Sequence, residues 1–345
     1  MKFRKLRLIL VVLVALVGIS AWFVFGSATS FSEKNRFLYL SSKNSTYQAL
    51  IQQLEDSDLV KSVSAFEFVA KRFDLANHLE PGKYEIKNGM SVLSIVRMLK
   101  NHRQSPVVIN FNKFRTKEQL AGYLGKRFEN DSLSFIALFT NNDSLNQFGL
   151  DSNTVMAGVF PDKYEFNWTS TPVQVLKKFN AQKERFWTEE RKAKATQQHL
   201  SPIQVYTLAS IVEEETNALD EKDTIASVYL NRFRKGDRLQ ADPTVKFALK
   251  NFTLKRIYND YLLVESPYNT YKYKGLPPGP ICTPSKATID AVLNAPATNY
   301  YFFVAKADFS GRHEFSVTFE EHVTKANAFR AAQDEQERIR NSKNK

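Results

Sequence analysis

With 345 residues, 43% hydrophobic and 13% aromatic, the chain exceeds the usual single-domain size, holds enough apolar mass for a sizeable core and excludes disorder for its bulk. Its formal net charge of +12 is partly the cluster Lys2, Arg4, Lys5 and Arg7, and the remainder is spread without a basic block. No helix-turn-helix, zinc-finger spacing or arginine-rich arm accompanies that charge, so a polyanionic envelope or a membrane surface is the expected partner and nucleic acid is not.

From Leu8 to Phe25 no charged residue occurs, and the run is long enough to span a bilayer. Positive residues stay cytoplasmic, which would put the body of the protein in the periplasm or extracytoplasmic space. Ser27, Ala28 and Ser30 also allow a cleaved signal peptide. The run exceeds the roughly 7–15 apolar residues of a signal-peptide core, however, and this favours an uncleaved single-pass anchor. No cysteine lies near the start for a lipoprotein. Cys282 alone cannot form an intramolecular disulfide, and five scattered histidines lack an H-E-x-x-H pattern, so neither metal nor cofactor is implied.

Ser27 to Lys34 reads as a linker of small and polar residues. Thr46 to Leu54 and Val60 to Phe73 carry helical apolar spacing, and L-E-P-G-K-Y-E-I at Leu79 to Ile86 reads as a turn into a strand. Ser91 can cap a helix with the apolar face Val92, Ile95, Val96 and Leu99. These elements fit either a small glycan-binding LysM-like module or an α/β spacer without a ligand. Val107 to Phe111 then predicts a strand, Thr116 to Phe128 a helix capped by Thr116, and Ser132 to Phe148 a helical stretch of mixed polarity. The segment G-V-F-P-D-K-Y-E-F, Gly158 to Phe166, opens a second domain and precedes a helix from Thr171 to Trp187.

The run I-V-E-E-E-T-N, Ile211 to Asn217, carries the strongest chemical signal. Leu208, Ile211, Val212 and Glu215 fall at i, i+3, i+4 and i+7, which turns Glu215 inward. Glu213 and Glu214 are rotated about 160° and 100° from it at the helical ~100° per residue, toward water. Burial disfavours a carboxylate, and a proton held near neutral pH is what a general acid needs. Glu215 is therefore the catalytic candidate, against the alternative of a glutamate salt-bridged at the edge of the core.

Asp220 to Arg234 continues helically, with Ile225, Val228, Tyr229 and Arg232 on one side. In L-Q-A-D-P-T-V, Leu239 to Val245, Asp242 suits an N-cap and Pro243 the first helical position. S-P-Y-N-T-Y at Ser266 to Tyr271 and G-L-P-P-G-P-I-C-T-P at Gly275 to Pro284 hold too much Pro and Gly for regular structure. A loop this long is usually functional. Tyr268, Tyr271 and Tyr273, with Asn269 between them, offer stacking faces and amide bonds to sugar rings, unless the segment is only a rigid connector. Tyr300 to Ala305 reads as a buried strand, Gly311 to Phe319 as its hairpin partner, and a helix runs from Phe319 to the end.

In this order, A-S-I-V-E-E-E-T (Ala209 to Thr216), R-L-Q-A-D-P-T-V (Arg238 to Val245), Y-N-T-Y with G-L-P-P-G (Tyr268 to Gly279), and the aromatic strand followed by H-x-F (Tyr301 to Phe315) resemble the endolytic murein transglycosylase, or YceG-like, family. The resemblance covers nearly the whole chain. Glu214 stands where a Lys is common and Cys282 where a smaller residue is usual.

The resemblance implies an α+β fold with four parts. Residues 1–30 would be a basic tail and transmembrane helix, 31–105 a LysM-like α/β subdomain, 106–157 a connecting region, and 158–345 a mixed helical and β catalytic domain with a lysozyme-like glutamate helix. The glutamate immediately before Thr in the motif, Glu215, would be catalytic. Gln240, Asp242, Thr244, Tyr268, Asn269, Tyr271 and His313 are the candidate substrate-binding residues. The implied partners are peptidoglycan strands, the inner membrane and cell-wall synthesis proteins. The implied reaction is non-hydrolytic cleavage between N-acetylmuramic acid and N-acetylglucosamine, leaving a 1,6-anhydro end on nascent strands. Two alternatives stand beside it: a muramidase-type hydrolase with Asp242 or Glu213 activating water, and a glycan-binding scaffold of a cell-wall synthesis complex.

Overall fold

A computed structural model describes Arg7, residues 10–15, Gly18, Trp22, residues 24–254 and residues 256–343. Leu8, Ile9 and several later positions of the expected anchor lie outside the described residues. Among the described residues no helix is long and apolar enough to cross a membrane.

Two units divide the chain. The first comprises Met1–Ile109, Arg127–Asn130 and Tyr164–Thr171. Its β1 (Asn35–Leu40) pairs antiparallel with β2 (Gly82–Lys87), from Asn35 opposite Lys87 to Leu40 opposite Gly82. Between them run α1 (Tyr47–Asp56) and α2 (Val63–Arg72), and α3 (Val92–Lys100) follows. Each start is fixed locally: Thr46, Ser62 and Ser91 accept hydrogen bonds from the amides of Ala49, Ala65 and Ser94. Alternation on the strands sends Leu38, Leu40, Tyr84 and Ile86 inward, where they meet Leu50, Phe66, Ile95 and Leu99. A short second sheet joins β3 (Val107–Asn110) to β4 (Lys163–Phe166).

The second unit comprises Asn110–Lys126, Asp131–Lys163 and Pro172–Lys345. The expected helix at Ser132 to Phe148 is two, α5 (Ser132–Thr140) and α6 (Asn142–Asn146), because Asn141 leaves the helical conformation and caps the second. They follow α4 (Lys117–Gly125), which Thr116 caps. After α7 (Pro172–Phe186) and α8 (Glu189–Gln197) comes α9 (Pro202–Glu215), which packs on α10 (Lys222–Arg234), α11 (Asp242–Ala248) and α12 (Lys286–Leu293). Every residue from Val205 to Val212 is buried, so α9 has no solvated face along that stretch. A capping box holds its start: Ser201 accepts from the Gln204 amide, and the Gln204 side chain accepts from the Ser201 amide at 2.8 Å.

The unit closes with β5 (Phe302–Ala305) antiparallel to β6 (His313–Ser316), Phe303 opposite Phe315, and with α13 (Phe319–Lys343) packed on both strands. The residues of β5 are half-buried rather than buried as expected, since the strand borders the cavity described below. The Pro- and Gly-rich segment is pinned along α9: the Ile281 amide donates to Ser210 Oγ at 2.9 Å, and Thr283 exchanges two hydrogen bonds with the Phe114 backbone. A Cβ on Gly279 would lie 2.0 Å from the Asn153 carbonyl oxygen, which excludes any side chain there.

Candidate active site

Glu215 ends α9, at the negative pole of the helix dipole, where a carboxylate is least welcome. It lines a cavity of about 260 Å³ with Tyr229, Arg232, Gln240, Asp242, Tyr271, Phe302, Phe303, Phe319 and His322. Burial pushes its carboxyl up to about 7; a hydrogen bond from the Tyr229 hydroxyl opposes the rise and the nearby Asp242 charge adds to it. Among the described residues nothing forms an ion pair with Glu215. A wider hollow of about 800 Å³ is lined by Arg256, Phe309 and residues of α13, and none of the candidate site residues lines it.

The neighbouring acids are not turned to water, as the helical wheel predicts. Glu213 accepts from Lys222 Nζ at 2.8 Å and from Ser285 at 3.2 Å, and Thr288 also donates to it. Lys222 itself is buried. Glu214 lies between Lys113, at 2.8 Å, and the Arg115 guanidinium, at 2.9 Å. Burial pushes both carboxyls up, but these hydrogen bonds and charges outweigh it and hold both below the ordinary glutamate value. Two acids of the trio are fixed as carboxylates, and the third is free to carry a proton.

Arg232, on the inward side of α10, donates to the carbonyls of Tyr301 at 2.9 Å and Leu239 at 2.7 Å, and so ties β5 and the approach to α11 to the cavity wall. Gln240 has φ +54°, a left-handed conformation rarely kept without a compensating role. Asp242 is not an N-cap. Ala241 occupies that position, Asp242 is the first helical residue, and its carboxylate accepts from the Tyr271 hydroxyl at 2.6 Å.

Gln240, Asp242 and Tyr271 thus meet Glu215 in one cavity, and the other candidates do not line it. Asn269 is fully buried, its amide donating to the carbonyls of Leu262 and Val264, both at 2.9 Å, and its oxygen accepting from the Tyr271 amide. No polar atom of it is left for a sugar. Thr244 is equally buried, bonded to Thr270 and the Ala241 carbonyl. Tyr268 packs on Phe247 with centroids 4.6 Å apart. His313 binds Glu221 through its amide at 3.0 Å and its ring at 3.1 Å, and its ring meets the edge of Phe303. Arg232 carries the same signal as Glu215, a charge on an inward helical face. Phe302, Phe303, Phe319 and His322 come together only through the packing of β5 and α13. Among the described residues no group of three His, Cys, Asp or Glu could hold a metal ion.

A family model, the YceG-like family, matches residues 42–328. The chain belongs to the YceG-like family. It is 29% identical over 293 residues to the endolytic murein transglycosylase of Bacillus subtilis, covering 81% of this chain and 80% of that one. It is 25% identical to the endolytic murein transglycosylase of Streptococcus pneumoniae strain R6, and there it spans only 53% of the relative's length. The crystal structure of a YceG-like protein from Listeria monocytogenes matches with a TM-score of 0.56 and 26% identity, over 85% of this chain and 99% of that one. The mixed helix and strand architecture is therefore that of a YceG-like fold.

Proposed function

We propose that this YceG-like protein is an endolytic peptidoglycan transglycosylase whose general acid and base is Glu215. The observation that carries the reading is the carboxyl of Glu215, alone of its trio in lacking a cationic partner, set in a cavity wall and raised to about 7. Protonated, it gives its proton to the glycosidic oxygen between N-acetylmuramic acid and N-acetylglucosamine as positive charge develops at C1. As carboxylate it then takes the proton of the muramyl 6-hydroxyl while that oxygen closes onto C1. The nucleophile belongs to the substrate, so one carboxyl serves both steps. Gln240, Asp242 and Tyr271 are the wall against which the sugar is held, and Tyr268, Asn269, Thr244 and His313 support that wall from behind.

Hydrolysis is the competing reading, favoured by the Asp242 carboxylate in the same cavity. Glu213 does not serve it, being held in the pair with buried Lys222. Mass spectrometry of purified peptidoglycan after incubation separates the two: 1,6-anhydro ends are expected, reducing ends would establish a hydrolase, and bound glycan without turnover would establish a scaffold.

The cationic cluster and apolar run before Phe25 support a single-pass anchor in the inner membrane, with the catalytic unit in the periplasm or extracytoplasmic space. Such an anchor places the enzyme where nascent strands emerge, which fits a terminase working beside cell-wall synthesis proteins. Full-length chain in the membrane fraction is expected. A mature protein beginning near Ser30 and free in solution would replace the anchor by a signal peptide. A LysM-like role for the first unit draws support from its helices between paired strands and from a groove of about 430 Å³ edged by Tyr39, Ser41, Asn44 and Gln52. Aromatic, hydroxyl and amide groups of this kind suit a sugar chain.

A further inference from the structure

Glu215 has to play two opposite parts with one carboxyl, and the hydrogen bond it receives decides how. Tyr229 is buried in α10, and its hydroxyl donates to Oε1 of Glu215. The ring is held by Phe303, whose centroid lies 5.7 Å away at 86°, and Phe303 is held in turn by a near-perpendicular contact with the His313 ring. We propose that Tyr229 is a positioning residue for the proton transfer: its hydroxyl pins Oε1 of Glu215, so that Oε2 is the oxygen that gives the proton and later takes one back. The inference rests on Glu215 being the acid of the proposed function.

The step balances without another reactant. The O–H bond at Oε2 breaks, its proton goes to the glycosidic oxygen, and the C1–O electron pair leaves with that oxygen. The 6-hydroxyl oxygen then bonds C1 and its proton goes to Oε2. Throughout, Tyr229 keeps a proton to donate, because burial and the adjacent Glu215 push its phenol well above the ordinary tyrosine value. A donor to the charged form favours that form, so Tyr229 acts against the burial that raises Glu215. The other charged or titratable groups around the carboxyl are Arg232 of α10, Asp242 and Lys246 of α11, and Tyr271, with His322 of α13 in the same cavity. Among the described residues none of these hydrogen-bonds the Glu215 carboxyl, which leaves Tyr229 as the contact that orients it.

The test is the pH–rate profile of the wild type and Tyr229→Phe, read as glycan strand cleavage, together with the titration of the Glu215 carboxyl by carbon-13 NMR in both proteins. Phenylalanine keeps the ring against Phe303. The loss of a hydrogen bond to a charged group should move the alkaline limb and the carboxyl titration upward by about one pH unit. Replacement of Tyr229 by 3-fluorotyrosine, a more acidic and stronger donor of nearly the same shape, should move both the other way by a smaller amount. A carboxyl that titrates at the wild-type pH in both variants, whatever the rate does, would reduce Tyr229 to a spacer and overturn the proposal. Reducing ends from the wild type would instead remove the transglycosylase reading, while the carboxyl titration would still decide the bond.

Discussion

Three consecutive glutamates leave the last turn of α9, and the protein treats the first two and the third in opposite ways. Behind the cavity, Glu213 and Glu214 meet Lys222, Lys113 and Arg115, and these cations keep them ionised despite partial burial. At the cavity, Glu215 meets a phenol, a nearby carboxylate and no ion-pair partner, and burial wins. Desolvation acts on all three, so the difference is in the partners supplied by other elements. The proposed catalytic carboxyl is marked less by its depth than by what has been withheld from it.

The largest effect that could break this comparison lies on the supporting side. Lys222→Met strands Glu213 without its cation in a largely enclosed site, and removing one partner of such a pair costs about 3–5 kcal/mol. The midpoint of thermal unfolding should fall on the order of 10 °C. Activity per folded molecule should change little. A variant that melts like the wild type yet has lost turnover would place the pair in the chemistry and erase the distinction between the two sides.

Next comes the acid itself. Glu215→Gln keeps the size and loses the transferable proton, so strand cleavage should drop at least ~100-fold. Stability should move the other way. The unfolded carboxyl titrates near 4.5 and the folded one at about 7, so folding takes up a proton between those values and wild-type stability declines from about pH 4.5 to 7, then levels off. Glutamine removes that decline. Above pH 7 the variant should melt on the order of 10 °C higher, since a rise from 4.5 to about 7 corresponds to roughly 3 kcal/mol and ~1 kcal/mol moves the midpoint by about 2–4 °C. A variant that melts lower at every pH would show that the carboxylate is stabilised by its surroundings.

The same contrast explains what is legible in the sequence. Glu215, the caps at Ser91 and Thr116 and the hairpin of β5 with β6 follow from local pattern, because each depends on residues within a few positions of one another. The state of Glu213 and Glu214 does not, because apart from Lys222, nine residues on, their partners lie at Lys113, Arg115, Ser285 and Thr288, far along the chain. Strand β1 is hidden by the exposed aromatic Tyr39 in its alternation, and α8 by a sequence that is polar all round apart from Ala193 and Ala195, of which only Ala195 is buried. The domain of helices around α9 is likewise read only in part, since a helix buried along most of its length leaves no polar face to mark its orientation.

Asn269 sharpens the line between wall and support, with a smaller effect. Its amide closes the turn that presents Tyr271, and Asn269→Ala leaves the carbonyls of half-buried Leu262 and Val264 without their side-chain donor. The cost of such groups, ~1–3 kcal/mol, should appear as a lowered melting midpoint, with activity lost in step with the folded fraction. Tyr271→Phe should show the reverse, a slower enzyme that melts close to wild type, because its hydroxyl bonds Asp242 within the cavity. Thermal unfolding and strand-cleavage assays on both proteins check the pair. An Asn269→Ala enzyme that is fully folded and slow would return this residue to the sugar-binding wall.

The smallest effect is expected at Glu214, and its sign with pH is what makes it informative. The side chain is 14% exposed and its partners Lys113 and Arg115 are 30% and 35% exposed, so solvent screens the pair and Glu214→Gln should cost no more than about 1 kcal/mol. Because the folded carboxyl is held below the unfolded value of 4.5, its contribution is present above that pH and is lost as pH falls through the folded value. Melting curves of wild type and variant should therefore differ by a few degrees at pH 7 and converge in acid. Turnover should stay within about two-fold, since a general acid's contribution of ~100-fold or more is not at stake at this position. A gap in melting that persists or widens in acid would mean that Glu214 works through packing rather than charge, and a loss of turnover comparable to that of Glu215→Gln would put two carboxyls into the reaction and return the hydrolase to consideration.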